Sequence, residues 1–288
     1  MSKNQVQDFS LHTHTIGFDG RSTVGEMATW AKELDMSVIG VSNHFIVHPD
    51  VKNAHFYSHA VRGGYDVIYQ SSFADVLEKY RVHYDEVDRA ALDMRMPILR
   101  GIEVDYFDSY NWQRGFEYAL KVLRPDYVIG ACHLIEYNGR LCNIHDIKIA
   151  SQPDRDKMLT LYWRKVARAA QSGLFTFMAH LDLPKKVNVG NELKWRDIES
   201  RTIDAIAKTN TGIEINTSGI ERMGAPYPGL HILKNIAQTN IPVIISDDAH
   251  CADQIGRHFD LAEQLCDEIG IKKRLSLQKI LDFSNKTL

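Results

Sequence analysis

Seven short β-rich runs recur along this chain, and six of them lead directly to a side chain that can bind a metal ion. The runs are Phe9–Leu11, Val38–Val41, Ile98–Val104, Tyr127–Ala131, Leu174–Ala179, Gly212–Asn216 and Pro242–Ser246. Stretches with helical periodicity lie between several of them: Val24–Leu34, Met158–Ala170, Ile198–Lys208, Leu230–Gln238 and Phe259–Glu268. In the first, Val24, Met27, Ala28, Ala31 and Leu34 form one apolar stripe. Strand alternating with helix predicts a parallel sheet. Seven such units around one core predict an α/β fold closed into a (β/α)7 barrel of the TIM-barrel kind. An open doubly wound sheet is the alternative. The 288 residues show no internal repeat or Pro/Gly/Ser-rich linker, so residues 1–288 read as a single domain.

In a parallel barrel the C-terminal ends of all strands share one rim, so residues distant in sequence meet there. The first run is followed by His12, His14 and then Asp19, and the second by His44. The third ends at Glu103, the fourth precedes His133, the fifth His180, and the seventh Asp248 and His250. The sixth, within IEINTSG, leads to Ser218 and Gly219 instead. Residues i and i+2 of an extended segment point the same way, so His12 and His14 can share an ion, as can Asp248 and His250. Glu103, with two oxygens, can bridge two ions. Nitrogen and carboxylate donors without a cysteine cluster suit Zn, Mn or Fe. Two or three divalent ions are expected, able together to activate water and to clamp a phosphoryl oxygen. His48, His55, His59, His83, His145, His231 and His258 are expected on loops or helix surfaces. Asp247, by strand alternation, should point away from Asp248.

Composition narrows the class. With 44% hydrophobic and 25% charged residues the chain can bury an enzyme-sized core. A formal net charge of -3 argues against a nucleic acid polymer as partner. The longest apolar runs, such as Ile241 to Ile245, are too short to span a membrane. The opening MSKNQVQDFSLHTHT has no apolar leader region, and four cysteines without a CxxC read as reduced thiols, so a cytoplasmic protein is expected. Residues Ile46–Tyr69 and Glu136–Asp156 break the strand–helix rhythm and read as irregular rim loops.

Taken in order, HTHTIGFDG, SNHF, GIEVDY, VIGACHLIEY, FMAHLDLPKK, IEINTSG and ISDDAH span nearly the whole chain. Together they resemble the polymerase and histidinol phosphatase (PHP) family. AHLDLPKK, and EINTSG followed by Pro226-Tyr227-Pro228, are most similar to its histidinol-phosphatase branch. The resemblance implies that the (β/α)7 barrel is a distorted one. It implies a metal-dependent phosphatase acting on a small phosphate monoester, foremost L-histidinol phosphate, in histidine biosynthesis. It also implies one ion held by His12, His14, Glu103 and Asp248, and a second by Glu103, His133 and His180. A third would use His44 and His250, with Asp19 or a nearby group. Glu103 is then the catalytic bridge, and His44 or Asp19 the general acid. Arg222, Lys185 and Arg155 are the cations expected to meet the substrate phosphate. The family's acid before its second histidine is here Asn43. That amide is expected either behind the ligands or at a weakened third site. An amidohydrolase-like hydrolase and a metal-bound regulatory barrel without turnover are the competing readings. Amide or lactone assays identify the first, and a metallated but inactive protein the second.

Overall fold

A computed structural model describes residues 7–287; the first six residues of the segment read for a leader lie outside it. The described residues contain eleven strands: β1 (Phe9–Ser10), β2 (Val38–Val41), β3 (His44–Val47), β4 (Tyr69–Gln70), β5 (Ile98–Asp105), β6 (Tyr127–Ala131), β7 (Leu134–Tyr137), β8 (Arg140–Asn143), β9 (Phe177–Met178), β10 (Gly212–Asn216) and β11 (Val243–Ser246). Seven of them form the barrel in the order β1-β2-β5-β6-β9-β10-β11, each pair parallel. These are the seven runs of the sequence, with the fifth shortened to Phe177–Met178 and the third lengthened to Asp105.

The first and last strands are joined by local devices. Ala249 forms a parallel bridge with Thr13, through His14 N–H to Ala249 O at 2.8 Å and Ala249 N–H to His12 O at 3.1 Å. Nearer the floor, the Gln7 side-chain amide stands in for a peptide group. It donates to Phe9 O at 2.8 Å and Ile245 O at 2.7 Å, and accepts from Ile245 N–H at 3.2 Å. These bonds pair backbone groups of both edges that would otherwise be open.

The interior is divided. Its lower part is apolar, built from Phe9, Leu11, Tyr127, Ile129, Phe177 and Ile244, with Leu275 and Ile280 closing it from the C-terminal segment. Tyr127 donates to Leu11 O at 2.6 Å, and its ring lies where a Cβ at Gly40 or Gly101 would come within 2.3 or 2.2 Å. The two glycines make room for a ring that fills the barrel axis. The upper part is polar and carries the rim residues.

The two segments expected to be irregular are partly ordered. The first contains β3, which pairs with β5 and places His44 beside Glu103, then the helix Tyr57–Gly63 and β4. The second contains the antiparallel hairpin β7–β8 and the helix Ile144–Ile149. Asn138 and Gly139 turn that hairpin with positive φ at both residues, the backbone that an Asn-Gly pair adopts most readily. Helices Phe73–Met94 and Tyr110–Leu123, capped by Ser72 and Ser109, flank β5. Among the described residues no helix is long and apolar enough to cross a membrane.

Candidate metal centre

Glu103 is the hub of the rim. Fully buried near the end of β5, its Oε1 lies 2.9 Å from His180 Nε2 and 3.4 Å from both His12 Nε2 and His133 Nε2. Its Oε2 lies 2.7 Å from His44 Nδ1 and 3.7 Å from His14 Nε2. One carboxylate thus faces five imidazoles. Asp248 approaches from β11, with Oδ1 at 3.2 Å from His14 Nε2 and 3.6 Å from His12 Nε2. Asp19 closes the outer side, with Oδ2 at 3.1 Å from His44 Nε2 and 3.2 Å from His250 Nε2.

All nine donors named from the sequence therefore meet in one place. They fall into overlapping groups whose donor atoms lie within 4.8 Å of one another: His14, Asp19, His44 and His250; His12, His180 and Asp248; His12, His14 and Glu103; His44, Glu103 and His133. Two of these residues sit on unusual backbone: Asp248 at φ 50° and His180 at φ 23°. Few non-glycine residues adopt such values, and those that do are held there by surrounding contacts.

The donor atoms have the signature of a cation site. His12 Nε2, both ring nitrogens of His14, Asp19 Oδ1 and Glu103 Oε2 are buried and make no well-directed hydrogen bond, although Glu103 Oε2 lies 2.7 Å from His44 Nδ1. Folded proteins rarely leave buried polar atoms unpaired, and this cluster of nitrogen and carboxylate donors fits a divalent cation. Burial alone would push the carboxyls of Glu103, Asp19 and Asp248 up. The facing imidazoles, led by His44 for the first two and His12 for Asp248, outweigh it and hold all three well below their ordinary values. They are anionic, as metal binding requires. Burial likewise favours neutral His12 and His44, but the carboxylates prevail and raise both. Divalent cations compete with those protons.

The substrate-side cations divide. Arg222 lines a rim cavity of about 250 Å³ together with Asp19, Tyr227, Asp248 and His250. Lys185 does not reach it. Its Nζ is buried, 3.2 Å from Asp182, and donates to Pro226 O at 2.5 Å above the Tyr227 ring. Its neighbour Lys186 lines the cavity instead, within range of the Arg222, Asp248 and Asp19 charges. Arg155 is also turned elsewhere, donating to the Ile147, Lys148 and Ala150 carbonyls that end the helix Ile144–Ile149. Those orphan helix-end carbonyls claim the guanidinium.

Other placements correct or extend the sequence reading. His83, expected on a surface, is 3% exposed. Its Nε2 accepts from Asn43 Nδ2 at 3.0 Å. Asn43 also donates to Thr15 Oγ1 and accepts from Thr15 N–H, so its side chain ties down the loop behind His14 and makes no contact with the donor cluster. Asp247 does turn away from Asp248, accepting from Ser10 Oγ and Gly256 N–H. Of the buried carboxylates not singled out from the sequence, two lie against the donor cluster. Asp105 accepts from the His133 and Leu134 backbone, and Glu214 touches the His12 ring. The signal for Glu214 was its place between two isoleucines of a barrel strand, where alternation turns it to the interior.

A PHP domain family model matches residues 8–218. A curated relative, the probable histidinol-phosphatase of Deinococcus radiodurans, is 27% identical over 177 residues, or 61% of this chain. The match covers 66% of that relative, just under two thirds of its length. Two solved structures share the fold. One is a candidate histidinol phosphatase of Listeria monocytogenes, with TM-score 0.67 and 20% identity, covering 88% of this chain and 99% of that one. The other is a histidinol phosphate phosphatase of Lactococcus lactis in complex with zinc, L-histidinol and phosphate, with TM-score 0.67 and 15% identity, covering 94% and 96%.

Proposed function

This chain belongs to the PHP domain family, and from that premise we propose that it is a metal-dependent phosphatase of small phosphate monoesters, with L-histidinol phosphate as substrate. The observation that carries the proposal is the convergence of nine donors on Glu103 with their buried atoms unpaired. We assign one ion to His12, His14, Glu103 and Asp248, a second to Glu103, His133 and His180, and a third to Asp19, His44 and His250. Bound there, two or three ions of Zn, Mn or Fe supply a water of lowered pKa and neutralise charge on the phosphoryl oxygens. The Lactococcus complex with zinc supports this cofactor class.

The chain's own groups supply the rest. Arg222 and Lys186 line the cavity, and among the described residues neither has an ion-pair partner, so both are free to hold the phosphate dianion. The His44–Asp19 pair sits at the outer side of the cluster, with side chains only 10% and 15% exposed. When the third position holds no ion, the His44 ring can carry a proton, because Asp19 and Glu103 outweigh the burial that disfavours it, and can then deliver it to the leaving alkoxide. Tyr227 and Leu183 give the cavity a largely apolar side.

L-Histidinol phosphate is favoured by the name of the Deinococcus relative and by the ligands of the Lactococcus enzyme. One observation favours another phosphate ester. The cavity lining holds four cationic side chains, Arg21, Lys186, Arg222 and Arg257, and no carboxylate beyond Asp19 and Asp248. Nothing else there pairs with a substrate ammonium. The deciding experiment is phosphate release from L-histidinol phosphate, with metals counted in the same sample and other phosphomonoesters run alongside. A strong preference for L-histidinol phosphate supports the proposal. Preference for esters with a second anionic group moves the substrate while keeping the chemistry. No release from a fully metallated sample refutes the phosphatase reading.

A further inference from the structure

Glu214 lies at the middle of β10 and is wholly buried. Four groups converge on its carboxylate. His12 Nδ1 is 2.5 Å from Oε1, and Ser246 Oγ donates to the same oxygen. The backbone N–H of His180 donates to Oε2 at 2.8 Å, and Asn216 Nδ2 donates to it at 3.0 Å. The same Asn216 amide reaches Asp248 Oδ2 at 3.4 Å.

Each contact bears on the metal centre. An imidazole whose Nδ1 faces a carboxylate keeps its proton on that nitrogen and turns a bare Nε2 the other way. For His12 the other way is into the cluster, toward Glu103 and Asp248, and this Nε2 has no hydrogen-bond partner of its own. The His180 amide is gripped at the residue whose φ of 23° is least comfortable for a side-chain-bearing backbone.

Charge separates Glu214 from Asp105, the other buried carboxylate behind the cluster, which has Lys165 at 2.9 Å. Among the described residues Glu214 has no lysine or arginine partner. Its counter-charge comes from imidazoles and from what those imidazoles hold.

We propose that Glu214 is a positioning residue of the metal centre: through His12 Nδ1 and His180 N–H it orients two donors from two other strands and adds a negative charge behind them. This inference rests on the metal-dependent reading above. Outer partners of this kind tune affinity by about 10- to 100-fold without touching the ion.

The test uses the full chain, stripped of metal and reloaded. Zn2+ affinity is measured by competition with a chelator, the Co2+ absorption spectrum is recorded, and the melting temperature of the metal-free form is taken. Glu214→Gln keeps the shape and removes the charge. The expected result is a loss of Zn2+ affinity of about tenfold, altered Co2+ bands and a metal-free melting temperature close to that of the unsubstituted chain. A loss below about fivefold overturns the inference. So does a fall in metal-free melting temperature as large as that of the metal-loaded form, because the carboxylate would then serve folding alone. If the unsubstituted chain itself binds no Zn2+ or Co2+, the metal-centre reading fails instead.

Discussion

His83 offers a quantitative check on the scaffold behind the candidate site. It lies on the helix Phe73–Met94, packed against the Tyr80, Tyr84 and Phe18 rings, with Lys79 one turn before it and Glu86 Oε2 3.6 Å from its Nδ1. Because Asn43 donates to its Nε2, the ring is held neutral with its proton on Nδ1. Burial first, and then the Lys79 charge, push it from 6.5 down to about 4. The sign follows from linkage. Below pH 6.5 the unfolded chain takes up a proton at this residue, and the folded chain does so only near pH 4. The contribution is complete above pH 6.5 and is lost as pH falls toward 4, a swing of about 3 kcal/mol. His83→Gln retains an acceptor for Asn43 and cannot titrate. Urea unfolding of both proteins between pH 7.5 and 4.5, with chelator present so that loss of metal affects them equally, isolates the difference. The stability advantage of the unsubstituted protein should shrink steadily below pH 6.5. A difference that stays flat with pH means that His83 is not a neutral buried imidazole, and the account of Asn43 as its donor goes with it.

Further outcomes test the site and the barrel. His14→Ala or Glu103→Ala should lower metal content and reduce turnover by more than about 100-fold, beyond what loss of an outer partner produces; unchanged activity in either would remove the ligand assignment. Arg222→Ala and Lys186→Ala should each raise KM for a phosphate ester by about tenfold, the scale of one charge-assisted hydrogen bond, with metal content intact. Lys185→Ala should instead strand the buried Asp182 carboxylate and destabilise the fold by about 3–5 kcal/mol, read by thermal unfolding; a KM effect without a stability loss would restore Lys185 as a substrate ligand. Gly101→Ala drives a Cβ into the Tyr127 ring and should cost about 1–3 kcal/mol. In a double-mutant cycle with Tyr127→Leu the cost should largely vanish, and strict additivity would show that the ring does not need that glycine.

The barrel and its donors were legible because their signals are local. A short apolar run leading to His, Asp or Glu reads the same whatever surrounds it, and parallel topology then carries every run's end to one rim. The Asn138-Gly139 turn was equally local, and β7–β8 could have been foreseen from it. Other features depended on partners distant in sequence. Lys185 and Lys186 are chemically alike neighbours, and only the fold shows that one meets Asp182 while the other faces the cavity. His83 looks like any helix-surface histidine until Asn43, forty residues earlier, is brought against it. Arg155 follows a rim strand in sequence, yet three helix-end carbonyls hold it. By itself the sequence determined the seven barrel strands and which donor types stand at their ends, because burial period and backbone hydrogen bonding act over a few residues. Which nitrogen faces which oxygen was decided by the tertiary structure, because register between separate strands and the packing of each rotamer set those distances together.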